Sequence, residues 1–236
     1  MLVNRESFKT YVRQTLDECV VIGVQSIVIV IVVSVFIGAV MSIQLKYNLH
    51  SPLANDWMIG LGVRNMTILE LSPTVMAIVF AGRVGSNIAG QLGSMRISEQ
   101  IDALEIMGIN TTSYLVLPKI LATLLMYPLL VIISIFLSII SGLFAAEFVV
   151  NIAPDDYIYG LKYNFDPYSF NFAMYKSLAY AFLISSISAY RGFYISGGAV
   201  AVGKASTRAV TDSCIAILLA DYVLTQLLLQ PPLSIW

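Results

Sequence analysis

Five stretches of the chain contain enough consecutive apolar residues to cross a bilayer, which takes about 20 residues in a helix. No charge occurs between Cys19 and Leu45 or between Ile120 and Ala146, while the other three stretches carry one to three charges each. We predict membrane spans at about 20–45, 57–82 (extending toward 94), 114–146, 168–190 and 206–230.

The segment before the first span has a different pattern. Its apolar residues recur at three- and four-residue steps, and charged residues occupy much of the remaining circumference. This pattern predicts an amphipathic helix over residues 1–18 that lies in the membrane interface. The alternative is a frayed polar tail.

Composition supports a membrane protein with one domain, residues 1–236. Of the 236 residues, 58% are hydrophobic and 11% charged, whereas a soluble domain has about 25% charged residues. The net charge of −1 argues against nucleic-acid binding. The single histidine, His50, lies in a predicted outer loop, so we expect no histidine metal cluster and no Ser-His-Asp triad. We therefore predict an all-α integral membrane protein that is not an enzyme, with no metal site and no cofactor bound by this chain.

The distribution of basic residues predicts the orientation. With a cytoplasmic N-terminus, nine of the 13 Lys and Arg residues fall in cytoplasmic segments. Because five spans is an odd number, the C-terminus is then expected on the outer side of the membrane.

Small residues recur in the segment that follows the second span. Ala81, Gly85, Ala89 and Gly93 are four residues apart, and Gly82 adjoins them. This spacing allows helix backbones to approach closely. We predict helix packing through Gly82, Gly85, Ala89 and Gly93, either within the chain or between two subunits.

A short amphipathic helix is predicted at about 96–109, between spans two and three. Ser98 is its expected N-cap, and Ile101 and Leu104 lie on its apolar face. The opposite face carries Glu99, Asp102 and Glu105. An anionic membrane surface would repel three acids, so a docking surface for a cytoplasmic protein is favoured over a helix that rests on headgroups.

Glu70 is the ionisable residue most expected at membrane depth, where an unpaired acid is costly. Pro73, three residues later, removes a backbone hydrogen bond and predicts a kink. A kink beside a buried acid suggests a cavity wall. The alternative is a structural ion pair of Glu70 with Arg64 or with a base elsewhere. Asp221 in the last span invites the same argument.

Residues Gly198–Ala205 resemble a phosphate-binding P-loop, but Ala205 replaces the Ser or Thr that binds Mg²⁺, and no strand precedes them. We expect no nucleotide site here. Any ATP chemistry would come from another chain.

The block ELSPTVMAIVFAGRVGSNIAGQLGSMRISEQIDALEIMGIN and the segment GGAVAVGKASTRAVTDSCIAILLADYVLTQLLL resemble the MlaE/YrbE permease family. The resemblance extends from about Val20 to the C-terminus. It implies an interfacial helix, five spans and a short cytoplasmic coupling helix, in the permease subunit of an ABC transporter that works with MCE proteins on lipids of the bacterial envelope. Two positions depart from the family motif LRELGP, because Leu69 replaces its Arg and Ser72 replaces its Gly.

The resemblance also implies partners. We expect a homodimer in the bacterial inner membrane, two cytoplasmic ATPase subunits that bind ATP and Mg²⁺, a periplasmic MCE ring and, in some systems, a STAS-domain regulator. The expected ATPase contacts are Glu99, Gln100, Asp102, Ala103, Leu104, Glu105, Met107 and Gly108. The expected lipid-site residues are Glu70, Leu69, Pro73, Arg64 and Asp221.

The predicted function is ATP-driven movement of phospholipid or a related lipid between the inner and outer membranes. The alternative is an ion-coupled secondary transporter that uses Glu70 and Asp221 as relay acids. The lack of an inverted repeat in the sequence weighs against it.

Overall fold

A computed structural model describes residues 8–49 and 55–229, and the side chains from residue 11 onward within them. The described residues form helices joined by short connections, without a β-strand among them. Five helices are long and apolar enough to span a membrane. These observations confirm the predicted all-α integral membrane fold. Residues 1–7 of the predicted interfacial helix and residue 230, where the last span was predicted to end, lie outside the described residues.

The α-helices begin and end at the following residues: α1 Phe8–Ile22, α2 Ile27–Asn48, α3 Trp57–Met66, α4 Met76–Phe80, α5 Ser86–Ile97, α6 Gln100–Ile106, α7 Leu117–Phe148, α8 Pro154–Lys162, α9 Tyr168–Phe193 and α10 Ala199–Leu229. A 3₁₀ turn at Val24–Ser26 joins α1 to α2, and wider π-helical turns at Thr67–Val75, Ala81–Gly85 and Thr112–Val116 precede α4, α5 and α7. The long membrane-spanning helices are therefore Tyr11–Asn48, Trp57–Ile97, Thr112–Phe148, Tyr168–Phe193 and Ala199–Leu229.

The described residues divide into two compact units. Unit 1 contains residues 8–26, 77–128 and 177–229, and unit 2 contains residues 27–49, 55–76 and 129–176. Four of the five long helices contribute residues to both units.

In unit 2, α2 packs on α7 through small polar residues. The hydroxyl of Ser34 donates to Ser134 Oγ at 2.8 Å, and Ser138 Oγ donates to the carbonyl of Ser34 at 2.9 Å. A Cβ added to Gly38 would lie 1.9 Å from the carbonyl oxygen of Ser138, so only glycine allows this approach. Buried hydroxyls thus hold together two helices that are otherwise strongly apolar.

The short helix α8 closes unit 2 against α3. A Cβ on Gly160 would lie 1.9 Å from the carbonyl oxygen of Trp57, and one on Gly60 would lie 2.2 Å from that of Tyr157. Tyr157 is fully buried at this contact, and burial raises its pKa to about 12. Its hydroxyl therefore stays protonated at neutral pH.

In unit 1, three of the four predicted packing positions meet neighbouring helices. Ala89 is fully buried. A Cβ on Gly85 would lie 2.9 Å from Ser188 Oγ on α9, and one on Gly93 would lie 3.4 Å from a side chain of α10. A Cβ on Gly82 would meet nothing within 4 Å among the described residues, so Gly82 does not pack within this part of the chain.

Candidate functional site

A sharp reversal between α5 and α6 sets the position of α6. The hydroxyl of Ser98 donates back to the carbonyl of Ser94 at 2.8 Å, so Ser98 ends α5. Glu99 then adopts a left-handed conformation with φ 57°, and α6 begins at Gln100. The prediction that Ser98 is an N-cap is wrong, because the residue at the N-cap position of α6 is Glu99 and no side chain caps this helix. Gly108, with φ 78°, ends the segment as predicted for a stop signal.

Two of the three acids in this segment are bound by the chain itself. Asp102 Oδ1 lies 2.5 Å from Arg96 Nη1, and Glu105 Oε1 accepts a hydrogen bond from Thr111 Oγ1 at 3.0 Å. Glu99 is exposed and makes no ion pair within the described residues. The acidic face therefore keeps two exposed carboxylates, Glu99 and Glu105, that form no ion pair with the described residues, while Asp102 is neutralised by Arg96.

The end of α6 also presents apolar side chains. Ile101 is fully buried and anchors the helix, and Leu104 is half-buried. Ile106 is 88% exposed and Met107 66% exposed. Gln100, Ala103 and Gly108 are also exposed. Sequence reasoning missed Ile106, although an isoleucine outside the apolar face that contains Ile101 and Leu104 was a usable signal.

A charged pair occupies unit 2. Lys176 Nζ lies 2.8 Å from Glu70 Oε1, and the Lys176 side chain is fully buried whereas that of Glu70 is 38% exposed. The ammonium also lies 4.7 Å from the centre of the Phe172 ring. The structure thus supports the alternative that Glu70 is paired, with the base on α9. Sequence reasoning left Lys176 out of the site, although it is the single charged residue of its predicted span.

Pro73 explains a second contact of the same ammonium. Proline has no N–H, so it cannot donate to the carbonyl of Leu69 four residues earlier. Lys176 Nζ donates to this carbonyl at 3.3 Å. The helix widens into a π-helical turn over Thr67–Val75, the segment that contains Pro73. The irregular turn predicted at Pro73 therefore leaves the carbonyl of Leu69 available to accept a hydrogen bond from Lys176.

Arg64 does not contact Glu70. Its Nη1 donates to the carbonyls of Leu161 and Tyr163 at 2.8 and 2.9 Å, at the C-terminal end of α8. Its guanidinium also lies 5.5 Å from the centre of the Phe165 ring. The alternative of a pair between Arg64 and Glu70 is wrong, because the guanidinium satisfies carbonyls that a helix end leaves unpaired.

Asp221 belongs to unit 1. The hydroxyl of Tyr180 donates to Asp221 Oδ1 at 2.7 Å, and Tyr180 is fully buried. Of the five predicted lipid-site residues, four therefore lie in unit 2 and Asp221 in unit 1.

Comparison with known proteins identifies the family to which this chain belongs. The sequence profile of the family described as "Permease MlaE" matches residues 15–227. This chain belongs to the MlaE permease family. A probable ABC transporter permease of Rickettsia bellii is 32% identical over 217 residues, which cover 92% of this chain and 83% of the relative. Another, from Synechocystis, is 33% identical over 219 residues, covering 92% and 82%.

A plant relative of this permease has a lipid in its name. The chloroplastic protein TRIGALACTOSYLDIACYLGLYCEROL 1 of Arabidopsis thaliana is 32% identical over 223 residues. The match covers 94% of this chain and 63% of the plant protein.

Family membership confirms the resemblance seen in the sequence and makes the chain a multi-pass membrane permease subunit. ABC transporter permeases are generally non-catalytic, and the family implies an ATPase partner. In this permease Ile106 and Met107 at the end of α6 are exposed among the described residues, whereas Lys176 and Ile101 are buried by the chain.

Proposed function

We propose that this permease moves phospholipid or a related lipid between the inner and outer membranes of a bacterial envelope, driven by ATP hydrolysis on a partner subunit. It would lie in the inner membrane with its N-terminus cytoplasmic and its C-terminus periplasmic. We propose, from the family resemblance, that it forms a homodimer with two ATPase subunits below and an MCE ring above, joined in some systems by a STAS-domain regulator.

The single observation that supports this function best is the exposed apolar end of α6. Ile106 and Met107 are exposed on a helix that is held in place by buried Ile101 and by the pair of Arg96 with Asp102. Apolar side chains on a firmly anchored polar segment are typical of a protein contact. Since the anchors tie α6 to α5, movement of a partner against α6 would be transmitted to the second span.

The lipid class is supported by two observations. One relative carries the name of a glycolipid. In this chain, the carboxylate of Glu70 is partly exposed beside the buried ammonium of Lys176, so a polar headgroup could reach Glu70 without displacing the lysine. We propose that Glu70, Leu69 and Pro73 contribute to the lipid site, with Asp221 as a further candidate. Arg64 would act there indirectly, through α8.

The test is Ile106→Asp in the full-length permease, purified with a tag from cells that produce its partners. Because Ile106 is 88% exposed, we expect an unchanged melting temperature but loss of ATP-hydrolysing activity and lipid transfer from the purified complex. Val149→Asp is the matched control, since Val149 is also an exposed apolar residue but follows α7. It should leave the complex intact.

Normal ATPase association by Ile106→Asp would show that the end of α6 is not the contact. Transport by the permease alone, driven by a proton gradient and abolished by Glu70→Gln, would instead support the ion-coupled alternative.

A further inference from the structure

A groove lined by basic and aromatic residues lies between the end of α9 and the start of α10, entirely within unit 1. Its cavity measures about 340 Å³, and its lining includes Tyr190, Arg191, Tyr194, Lys204 and Arg208. Both tyrosines are more than half exposed. This groove shares no residue with α6 or with the pair of Glu70 and Lys176.

The groove carries unneutralised positive charge. Arg191 is paired with Asp212, with 2.6 Å between Nη2 and Oδ2. Lys204 and Arg208, one turn apart on α10, are exposed and form no ion pair with any residue that the structure describes. Three cations therefore face one carboxylate. Such a surface attracts an anion, and an arginine beside a lysine is well suited to a phosphate group.

An apolar cavity adjoins the basic one. It measures about 410 Å³ and shares Tyr190 and Arg191 with the groove. Its lining also includes Ile187, Ser186 and Asp212, whose carboxylate is paired with Arg191, and most of its lining surface is apolar. The hydroxyl of Ser186 is buried and has no hydrogen-bond partner among the described residues. The two cavities together provide a basic end, a mostly apolar end and, in the lining of the second cavity, a hydroxyl without a partner among the described residues.

The near P-loop in the sequence ends in this groove, but it cannot bind phosphate as a P-loop does. The segment after Gly198 is the first turn of α10, so its backbone N–H groups do not form a phosphate-binding loop. Lys204 instead projects from the second turn of a helix. Recognition of an anion here would depend on the side chains of Arg191, Lys204 and Arg208.

We infer that the groove binds the phosphate of an anionic phospholipid, with the headgroup between Lys204 and Arg208 and an acyl chain along the apolar cavity. Basic pockets between membrane helices on the cytoplasmic side bind anionic headgroups, and the distribution of basic residues predicts that this loop is cytoplasmic. A free phosphate would use the basic cavity alone and leave the apolar one empty. The amphipathic pair of cavities favours the lipid.

This lipid would be a resident of the permease and not its cargo. The inference therefore does not depend on lipid transport, and it stands or falls on binding alone. The bound lipid would hold the ends of α9 and α10 together, because Arg191 and Arg208 contact it from different helices.

The experiment measures lipid retention by the full-length permease. The protein is exchanged into equimolar phosphatidylglycerol and phosphatidylcholine, and bound lipids are counted by native mass spectrometry. We expect preferential retention of phosphatidylglycerol, reduced about fivefold by Arg208→Gln and again by Lys204→Gln in the double variant. Lys162→Gln, which removes an exposed lysine of α8, is the matched control and should retain the lipid as the unchanged protein does.

Four results would overturn the inference. Equal retention of both lipids, or equal loss in the Lys162→Gln control, would show that the groove has no specific anion site. Displacement of phosphatidylglycerol by soluble glycerol phosphate at equal concentration would show that the occupant is a free phosphate and not a lipid. A double variant that keeps its lipid but loses its ATPase partner would identify the groove as a protein contact.

Discussion

The ion pair of Lys176 and Glu70 makes an asymmetric prediction about stability. Lys176 is fully buried, so Glu70→Leu takes the Glu70 carboxylate away from an ammonium that its own side-chain exposure does not allow to be hydrated. Breaking a buried pair in this way costs about 3–5 kcal/mol. In Lys176→Met the remaining carboxylate is on a side chain that is 38% exposed, so water can hydrate it. We expect this variant to lose about 1 kcal/mol, as for exposed pairs.

The double variant Glu70→Leu with Lys176→Met distinguishes the energy of the ion pair from other effects of each substitution. With both charges removed, the buried ammonium that penalises Glu70→Leu no longer exists, so Lys176→Met should rescue most of that loss. At about 2–4 °C per kcal/mol for a chain of this size, Glu70→Leu should lower Tm by at least about 6 °C. A thiol-reactive dye can report unfolding, since Cys19 and Cys214 are free cysteines that are not fully exposed.

Equal losses in the two single variants, adding up in the double variant, would refute this reasoning, because they would show that the residues do not interact. Glu70→Gln is the variant for transport measurements. It keeps an oxygen that can accept from Lys176 but removes the negative charge. If it retained lipid as the unchanged permease does, the charge of Glu70 would have no role in lipid binding.

Three further predictions test the packing. Arg64→Lys should lose about 1–3 kcal/mol and speed proteolysis of α8. The lysine nitrogen lies one bond nearer the backbone than Nη1, so it reaches the two carbonyls at the end of α8 less well, and lysine lacks the Nε donor that Arg64 directs to Asn65 Oδ1. Gly38→Ala should lower Tm, while Gly82→Ala, where an added Cβ meets nothing within 4 Å among the described residues, should leave Tm unchanged. Burial raises the pKa of Tyr157 to about 12, so its contribution to the free energy of unfolding should be complete below pH 10, the ordinary tyrosine pKa, and fall as the pH rises from 10 through 12. Unfolding curves measured across this pH range should lack that decline in Tyr157→Phe.

Hydropathy was sufficient to predict the five spans. Each span must form its backbone hydrogen bonds within its own helix, and its side chains face lipid or the protein interior, both of which are apolar. The same argument could not predict how the helices pack. The contact of α2 with α7 depends on Ser34, Gly38 and Ser138. Small residues in these two spans recur every four residues, the same spacing that predicted helix packing at residues 81–93. A search for small residues in every span would have found this contact.

Charged residues within spans were found from the sequence, but their partners were not. Glu70 and Lys176 are 106 positions apart, and nothing local in either span specifies which helices become neighbours. Arg64 is the base nearest to Glu70 in the sequence. It binds α8 instead, because that helix ends against α3 with backbone carbonyls that have no partner within the helix. Proximity in sequence therefore favoured the wrong partner.

The short helix α6 shows why charge and exposure have to be judged together. An amphipathic pattern places three acids away from the apolar face, and from this alone all three are expected to be free. In the structure, Asp102 pairs with Arg96 and Glu105 accepts a hydrogen bond from Thr111. These contacts fix the position of a short helix that lies between two long ones. Two exposed carboxylates, Glu99 and Glu105, and the apolar end at Ile106 then remain. Under the proposed function, the apolar contact at Ile106 is expected to contribute more of the affinity than these solvated acids.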